Sequence, residues 1–144
     1  DTCISLNSNA EESLKSGSGK PKKVTLEEAL EALRRSHEAG LVHMAYTFKG
    51  REQPDIVCSC CSCCCHTLSG LIRFGLAKHL VACDTLAKTD FSLCTNCGIC
   101  VERCQFGARE VVDGQVVHKT EQCFGCGLCV TTCLSKAIRL VRKS

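Results

Sequence analysis

The segment that decides the fold is CTNCGICVERC, residues 94–104, which recurs 29 residues later as CFGCGLCVTTC, residues 123–133. Both copies have the spacing Cys-x2-Cys-x2-Cys-x3-Cys, so one repeated pattern accounts for eight of the sixteen cysteines. The match extends to the residues around the cysteines. Gly98, Val101 and Ala108 recur as Gly127, Val130 and Ala137. The pattern therefore indicates an internally repeated metal-binding module.

Three cysteines spaced in this way hold one face of an iron–sulfur cube, and the fourth cysteine of the same copy is placed to bind the other cube. This crossed arrangement predicts two 4Fe-4S clusters. The first cluster is bound by Cys94, Cys97, Cys100 and Cys133. The second is bound by Cys123, Cys126, Cys129 and Cys104.

Zinc and disulfide bonds explain the same spacing less well. Structural zinc sites use separated Cys-x2-4-Cys pairs, and a third cysteine at the same short interval has no tetrahedral position to fill. Disulfides require an oxidising compartment and do not account for a doubled spacing. The repeat therefore favours iron–sulfur clusters.

The motif resembles that of the bacterial-type two-cluster ferredoxins, over residues 91–142, about a third of the chain. The resemblance implies a ferredoxin-like module with a pseudo-two-fold βαβ repeat, and low-potential electron transfer. Family members usually carry proline directly after each fourth cysteine, where this chain has Gln105 and Leu134. Ligation does not require that proline, so the resemblance still implies both clusters, with a different local turn.

The composition indicates a small protein that depends on its metal centres. The chain has 144 residues with no Trp, one Tyr and five Phe, so large core side chains are scarce. Clusters then supply much of the folding energy. Cysteines at this density predict a reducing, cytoplasmic location, as in an anaerobe or a low-oxygen niche. No apolar run is long enough for a membrane span, and a net charge of +3 is too small to indicate nucleic acid binding.

The first half of the chain predicts an arm followed by a small α+β region. Residues 1–23 are polar and contain Ser-Gly-Ser-Gly, which is typical of a flexible arm or linker. Residues 24–88 form the second region. A capping box at Thr25 and Glu28 begins a helix that Gly40 ends, and residues 41–48 form a strand.

Residues 58–66 are the second unusual stretch, CSCCSCCCH. Its six cysteines are Cys58, Cys60, Cys61, Cys63, Cys64 and Cys65. Neighbouring side chains point in different directions, so they cannot all be core residues. The first hypothesis is a third metal centre, another iron–sulfur cluster bound by four of the six. The alternatives are a zinc site that includes His66, a redox-active thiol pair, and a loop with one or two functional thiols.

After this Cys-rich loop, apolar residues recur at helical intervals from Thr67 to Val81, with a break expected at Gly75. Residues 88–90 form a connection, and residues 89–144 form the ferredoxin domain. In that domain Asp113-Gly114 predicts a hairpin between strands at 110–112 and 115–118, and residues 137–141 predict a last strand. The order helix, strand, Cys-rich loop and helix before two clusters resembles the N-terminal part of some multi-cluster iron–sulfur proteins of anaerobes.

Three functions are consistent with this sequence. The first is an electron carrier or electron-transfer domain without its own substrate site, which relays electrons through the two clusters between partner proteins. The second is the electron-wiring segment of a larger oxidoreductase, whose catalytic domain lies on another chain or before Asp1. The third is a redox or metal sensor that uses the thiols of Cys58 to Cys65. No phosphate-binding loop, nucleotide fingerprint or nucleophile–base pair indicates an enzyme active site.

Overall fold

A computed structural model describes residues 3–48, 50–76 and 83–143. The chain forms two compact units, Asp1–Cys60 and Cys61–Ser144. Helices and strands occur in both, as the predicted α+β class requires.

The first unit contains a three-stranded antiparallel sheet in the order β1-β3-β2. Its strands are β1 (Cys3–Ser5), β2 (Val42–Tyr46) and β3 (Ile56–Cys60). The turn between β2 and β3 is held by Asp55, whose side chain is fully buried. The Asp55 carboxylate accepts hydrogen bonds from the Phe48 backbone N–H, at 2.9 Å, and from the Arg51 guanidinium. A buried carboxylate with hydrogen-bond partners therefore holds the connection between β2 and β3.

Two helices accompany this sheet. Helix α1 spans Asn7–Ser16 and helix α2 spans Leu26–Glu38. The capping box of α2 is present as predicted, because Thr25 Oγ1 accepts from the Glu28 N–H at 3.2 Å and Glu28 accepts from the Thr25 N–H at 2.8 Å. Two apolar residues of α2, Leu26 and Leu30, are exposed.

The prediction of a flexible arm over residues 1–23 is wrong for Cys3–Ser5 and Asn7–Ser16, which form β1 and α1. Pairing with β3 orders the three residues of β1, and no local pattern reports a partner 55 positions away. The interpretation of residues 58–66 as a loop also needs correction. Cys58 and Cys60 lie in β3, because Cys58 pairs with both β1 and β2 and Cys60 pairs with β2.

The second unit begins with helix α3 (His66–Arg73), and Gly75 has a φ of 67° where the break is predicted. The rest of that predicted helix, including Leu80 and Val81, lies outside the described residues. Strand β4 (Thr85–Thr89) pairs antiparallel with the last strand, β7 (Ile138–Arg142). Residues 85–88 are therefore paired with the ferredoxin-like region, although the sequence analysis assigns them to the preceding one.

The predicted hairpin at Asp113-Gly114 is present. Strand β5 (Arg109–Val112) pairs with β6 (Gln115–His118), and Asp113 and Gly114 have φ of 49° and 76°. Two four-residue helices, α4 (Ile99–Glu102) and α5 (Leu128–Thr131), lie 29 residues apart. Each begins after a glycine with positive φ, Gly98 or Gly127. The repeat in the sequence is thus also a repeat in the backbone.

The core of this unit is small and contains cysteine. Its buried members are Ala87, Cys100, Val116, Cys129 and Ile138. Leu128 is buried as well, whereas three other apolar residues of this region, Phe91, Ile99 and Leu140, are exposed. Hydrophobicity alone therefore does not say which apolar side chains turn inward.

Candidate metal centres

The first candidate centre is a cavity that is lined by four cysteines. They are Cys94, Cys97, Cys100 and Cys133. Three come from the first copy of the motif, and the fourth comes from the end of the second copy. Ile138 and Val116, both buried, supply apolar lining.

The second candidate centre is a cavity with the reciprocal set of cysteines. They are Cys104, Cys123, Cys126 and Cys129. Phe106 and Phe124 also line it, with their ring centroids 4.8 Å apart. The structure therefore brings together the same two sets of four that the spacing predicts to bind together. Their ligation of a cluster stays a prediction.

The local chain conformation explains how each set converges. Gly98 and Gly127 adopt φ of 77° and 80°, a region that glycine enters without steric cost. The chain turns there into a single helical turn that carries Cys100 or Cys129, and the fourth cysteine follows directly after that turn.

A backbone N–H group also donates a hydrogen bond to one of these cysteine sulfurs. The Ala87 N–H of β4 donates a hydrogen bond to Cys123 Sγ at 3.4 Å. N–H to sulfur hydrogen bonds are one of the ways in which a protein tunes an iron–sulfur cluster.

Burial affects the acidity of these thiols. It raises the pKa of Cys126 to about 11, and it also raises the pKa of Cys100 and of Cys129. Metal binds the thiolate form, so a bound metal would offset the cost of placing a thiolate in a buried position. Four soft sulfur donors in an apolar cavity fit an iron–sulfur cluster.

The six cysteines of residues 58–65 are divided among different environments. Cys58 Sγ lies 3.2 Å from Cys3 Sγ across the β1–β3 pair. Cys60 ends β3, and Cys65 caps α3, with its sulfur accepting a hydrogen bond from the Leu68 N–H at 3.4 Å. His66 is the first residue of α3.

The other three cysteines of the run lie together. Cys61, Cys63 and Cys64 have sulfur atoms within 4.8 Å of one another, and they form the only group of this kind that was found among the described residues. The Cys63 thiol donates to Cys61 Sγ at 2.9 Å, and its sulfur lies 3.5 Å from that of Cys64. The hydrogen bond from Cys63 lowers the pKa of Cys61 to about 7. The sequence analysis expected four ligands from this run, and the structure gathers three.

This thiol group lies beside the ferredoxin-like part of the same unit. The Ser62 N–H donates to Gln105 Oε1 at 2.5 Å. Gln105 directly follows Cys104 and stands where relatives of the resembled family carry proline. Proline has no side-chain acceptor, so the substitution provides a contact that the usual residue lacks.

Arg109 is a functional candidate that the sequence analysis missed. Its side chain lines both cysteine cavities and is almost fully buried. The sequence repeat marks this residue as unusual. The 29-residue offset that aligns Ala108 with Ala137 also aligns Arg109 with Ile138. A charged residue aligned with an apolar one marks the difference between the two copies.

One known protein family matches the segment that contains all eight cysteines of the repeat. Residues 93–138 match the family model of a 4Fe-4S dicluster domain. A search of the curated proteins found no match. Within the described residues, no helix combines the length and the apolar character that crossing a membrane requires.

Proposed function

Since the chain carries a 4Fe-4S ferredoxin-type domain behind a cysteine-rich region, we propose that it transfers electrons through two 4Fe-4S clusters. The observation that carries the proposal is the reciprocal exchange of Cys104 and Cys133 between the two cavities. The first cluster is bound by Cys94, Cys97, Cys100 and Cys133. The second is bound by Cys123, Cys126, Cys129 and Cys104.

A bound 4Fe-4S cluster takes up and releases one electron at a potential that the protein sets. The residues of this chain hold the cluster with four thiolates and leave no iron open to a substrate. Phe106 and Phe124 cover one cavity with apolar surface, which limits the access of water. We therefore propose a pseudo-two-fold module, residues 89–144 together with β4, that carries electrons for a partner.

The partner is a redox protein or the catalytic domain of an oxidoreductase, and the clusters work at low potential in a reducing, cytoplasmic compartment. The alternative is a wiring segment within a larger oxidoreductase. Both alternatives use the same clusters, and they differ in whether the chain carries electrons between separate proteins or is a fixed part of one larger oxidoreductase.

A reductive titration tests the proposal. Anaerobically purified protein is titrated with dithionite while the visible absorbance and the electron paramagnetic resonance spectrum are recorded. We expect uptake of about two electrons per chain, one for each cluster. Uptake of one electron would contradict the two-cluster proposal, and no uptake would contradict electron transfer.

A third centre is the second element of the proposal, and we assign it to Cys61, Cys63 and Cys64. Tetrahedral zinc has Zn–S bonds of about 2.3 Å, which places its sulfur ligands about 3.8 Å apart. The three sulfurs lie within 4.8 Å of one another, with two separations of 2.9 and 3.5 Å that are shorter than that spacing, so one ion could contact all three after a small outward shift. In a cubane each cysteine binds a different iron, so the cysteine sulfurs lie further apart than they do around a single ion. The geometry therefore favours one soft ion such as zinc over a third cubane.

Metal analysis separates the alternatives for this centre. In the triple variant Cys61→Ser, Cys63→Ser, Cys64→Ser, we expect loss of about one zinc per chain with iron unchanged. The matched control is Cys65→Ser, which keeps an N-cap for α3 because serine caps helices well. Loss of about four iron instead would indicate a third cubane. If the wild-type protein binds no metal at these three cysteines and their thiols oxidise reversibly, the result would favour a redox sensor.

A further inference from the structure

Arg109 places a positive charge between the two cysteine cavities. It is the first residue of β5 and lines both of them. Its side chain leaves the residue only 3% exposed. The guanidinium donates hydrogen bonds to Thr89 Oγ1 at 2.9 Å and to the Ala87 backbone oxygen at 3.3 Å. Both acceptors belong to β4, which contributes Thr89 to the first cavity and Ala87 to the second, so the strand that holds the arginine borders both.

The second copy of the repeat has an apolar residue at the position of Arg109. Ile138 occupies the corresponding position in the second copy, and it is 5% exposed and apolar. Burying an unpaired charge in a protein interior has a free-energy cost on the order of several kcal/mol. The two hydrogen-bond acceptors of Arg109 are neutral, so they solvate the guanidinium without balancing its charge. A nearby group that carries negative charge would balance it.

Arg109 lies beside cysteines of both sets. It lines the cavity that contains Cys100, which belongs to the first set of four, and the cavity that contains Cys129, which belongs to the second. One buried positive charge is therefore shared by both sites.

We propose that Arg109 is a shared positioning charge that raises the reduction potentials of both clusters. This inference rests on the proposed two-cluster function. Each cluster gains one electron, and with it one negative charge, when a donor such as dithionite reduces it. The charge of Arg109 does not change, so the arginine stabilises each reduced cluster more than each oxidised one. The effect is strong because both cavities are apolar and the guanidinium is shielded from water.

Redox titration of three variants tests the inference. In Arg109→Gln, which keeps hydrogen-bond donors and loses the charge, we expect the equilibrium constant for reduction of each cluster to fall about tenfold. A tenfold change corresponds to about 59 mV for a one-electron couple. Arg109→Lys retains the charge, and its potentials should stay near those of the wild type. Arg139→Gln removes an exposed arginine of β7 and should shift neither potential.

Each outcome decides the inference. Unchanged potentials in Arg109→Gln, or a shift of one cluster alone, would overturn it. If Arg109→Gln does not assemble, Arg109→Lys still decides, because a fall in both potentials despite the retained charge would show that the charge is not the cause. Failure of the two-cluster proposal can be told apart from failure of this inference. In the first case the wild-type protein itself would lack two reducible clusters.

Discussion

Gly125 lies directly against Thr85, so that a Cβ atom on Gly125 would come within 2.3 Å of the Thr85 backbone oxygen. Gly125 also has a φ of 63°, which side-chain-bearing residues rarely adopt. The loop between Cys123 and Cys126 is therefore packed on β4 through a position that only glycine fits.

Gly125→Ala should disrupt the second cavity. The clash is with backbone atoms, which cannot move away as a flexible side chain could, so we expect iron content to fall from about eight to about four per chain. The control is Gly114→Ala, which has a φ of 76° and no neighbour within 4 Å. It should cost about 1 kcal/mol and keep all the iron. Equal iron in the two variants would contradict the packing argument.

The crossed ligation predicts which cluster each fourth cysteine serves. Cys104→Ser should impair the cluster held by Cys123, Cys126 and Cys129, although Cys104 is closer in sequence to Cys100. Cys133→Ser should impair the other one. Mössbauer and electron paramagnetic resonance spectra of the two single variants distinguish the clusters. Loss of the Cys94-bound cluster in Cys104→Ser would mean that each copy of the motif binds its own cluster.

Removal of the metal should unfold the ferredoxin-like region. Its core contains cysteines and few large side chains, so little apolar area is available to stabilise it without the clusters. We expect circular dichroism to show loss of the β4–β7 and β5–β6 strands when iron is removed with a chelator under reducing conditions. An iron-free protein with native strand content would contradict this dependence.

Cys3 and Cys58 are expected to form a disulfide when an oxidant is supplied. They are directly opposite each other on paired strands, and their sulfurs are 3.2 Å apart. With glutathione disulfide the two thiols lose two electrons and two protons, and two glutathione thiols are formed. Peptide mapping should recover the Cys3–Cys58 link, and the Cys3→Ser variant should lack it. Recovery of Cys58 linked mainly to another cysteine would count against the pairing.

The features that the sequence predicts well are those with local causes. The capping box of Thr25 and Glu28 and the hairpin at Asp113-Gly114 each depend on residues within a few positions of one another. The 29-residue repeat also predicts the two sets of cysteines that line the two cavities, because a repeated spacing implies repeated geometry.

The features that the sequence misses depend on distant partners. Cys3 is ordered by β3, and Ser62 is held by the side chain of Gln105. The burial of Arg109 depends on β4, some twenty residues earlier in the chain. No periodicity reports such contacts, although the comparison of Arg109 with Ile138 within the repeat marks the position as unusual.

The most direct test of the two-cluster account is the iron and acid-labile sulfide content of the Cys61→Ser, Cys63→Ser, Cys64→Ser variant, purified without oxygen. This variant keeps all eight cysteines of the repeated motif and lacks the third centre. The account predicts about eight iron and eight sulfide per chain. About four of each would mean that a single cluster is bound, and iron without sulfide would contradict iron–sulfur clusters altogether.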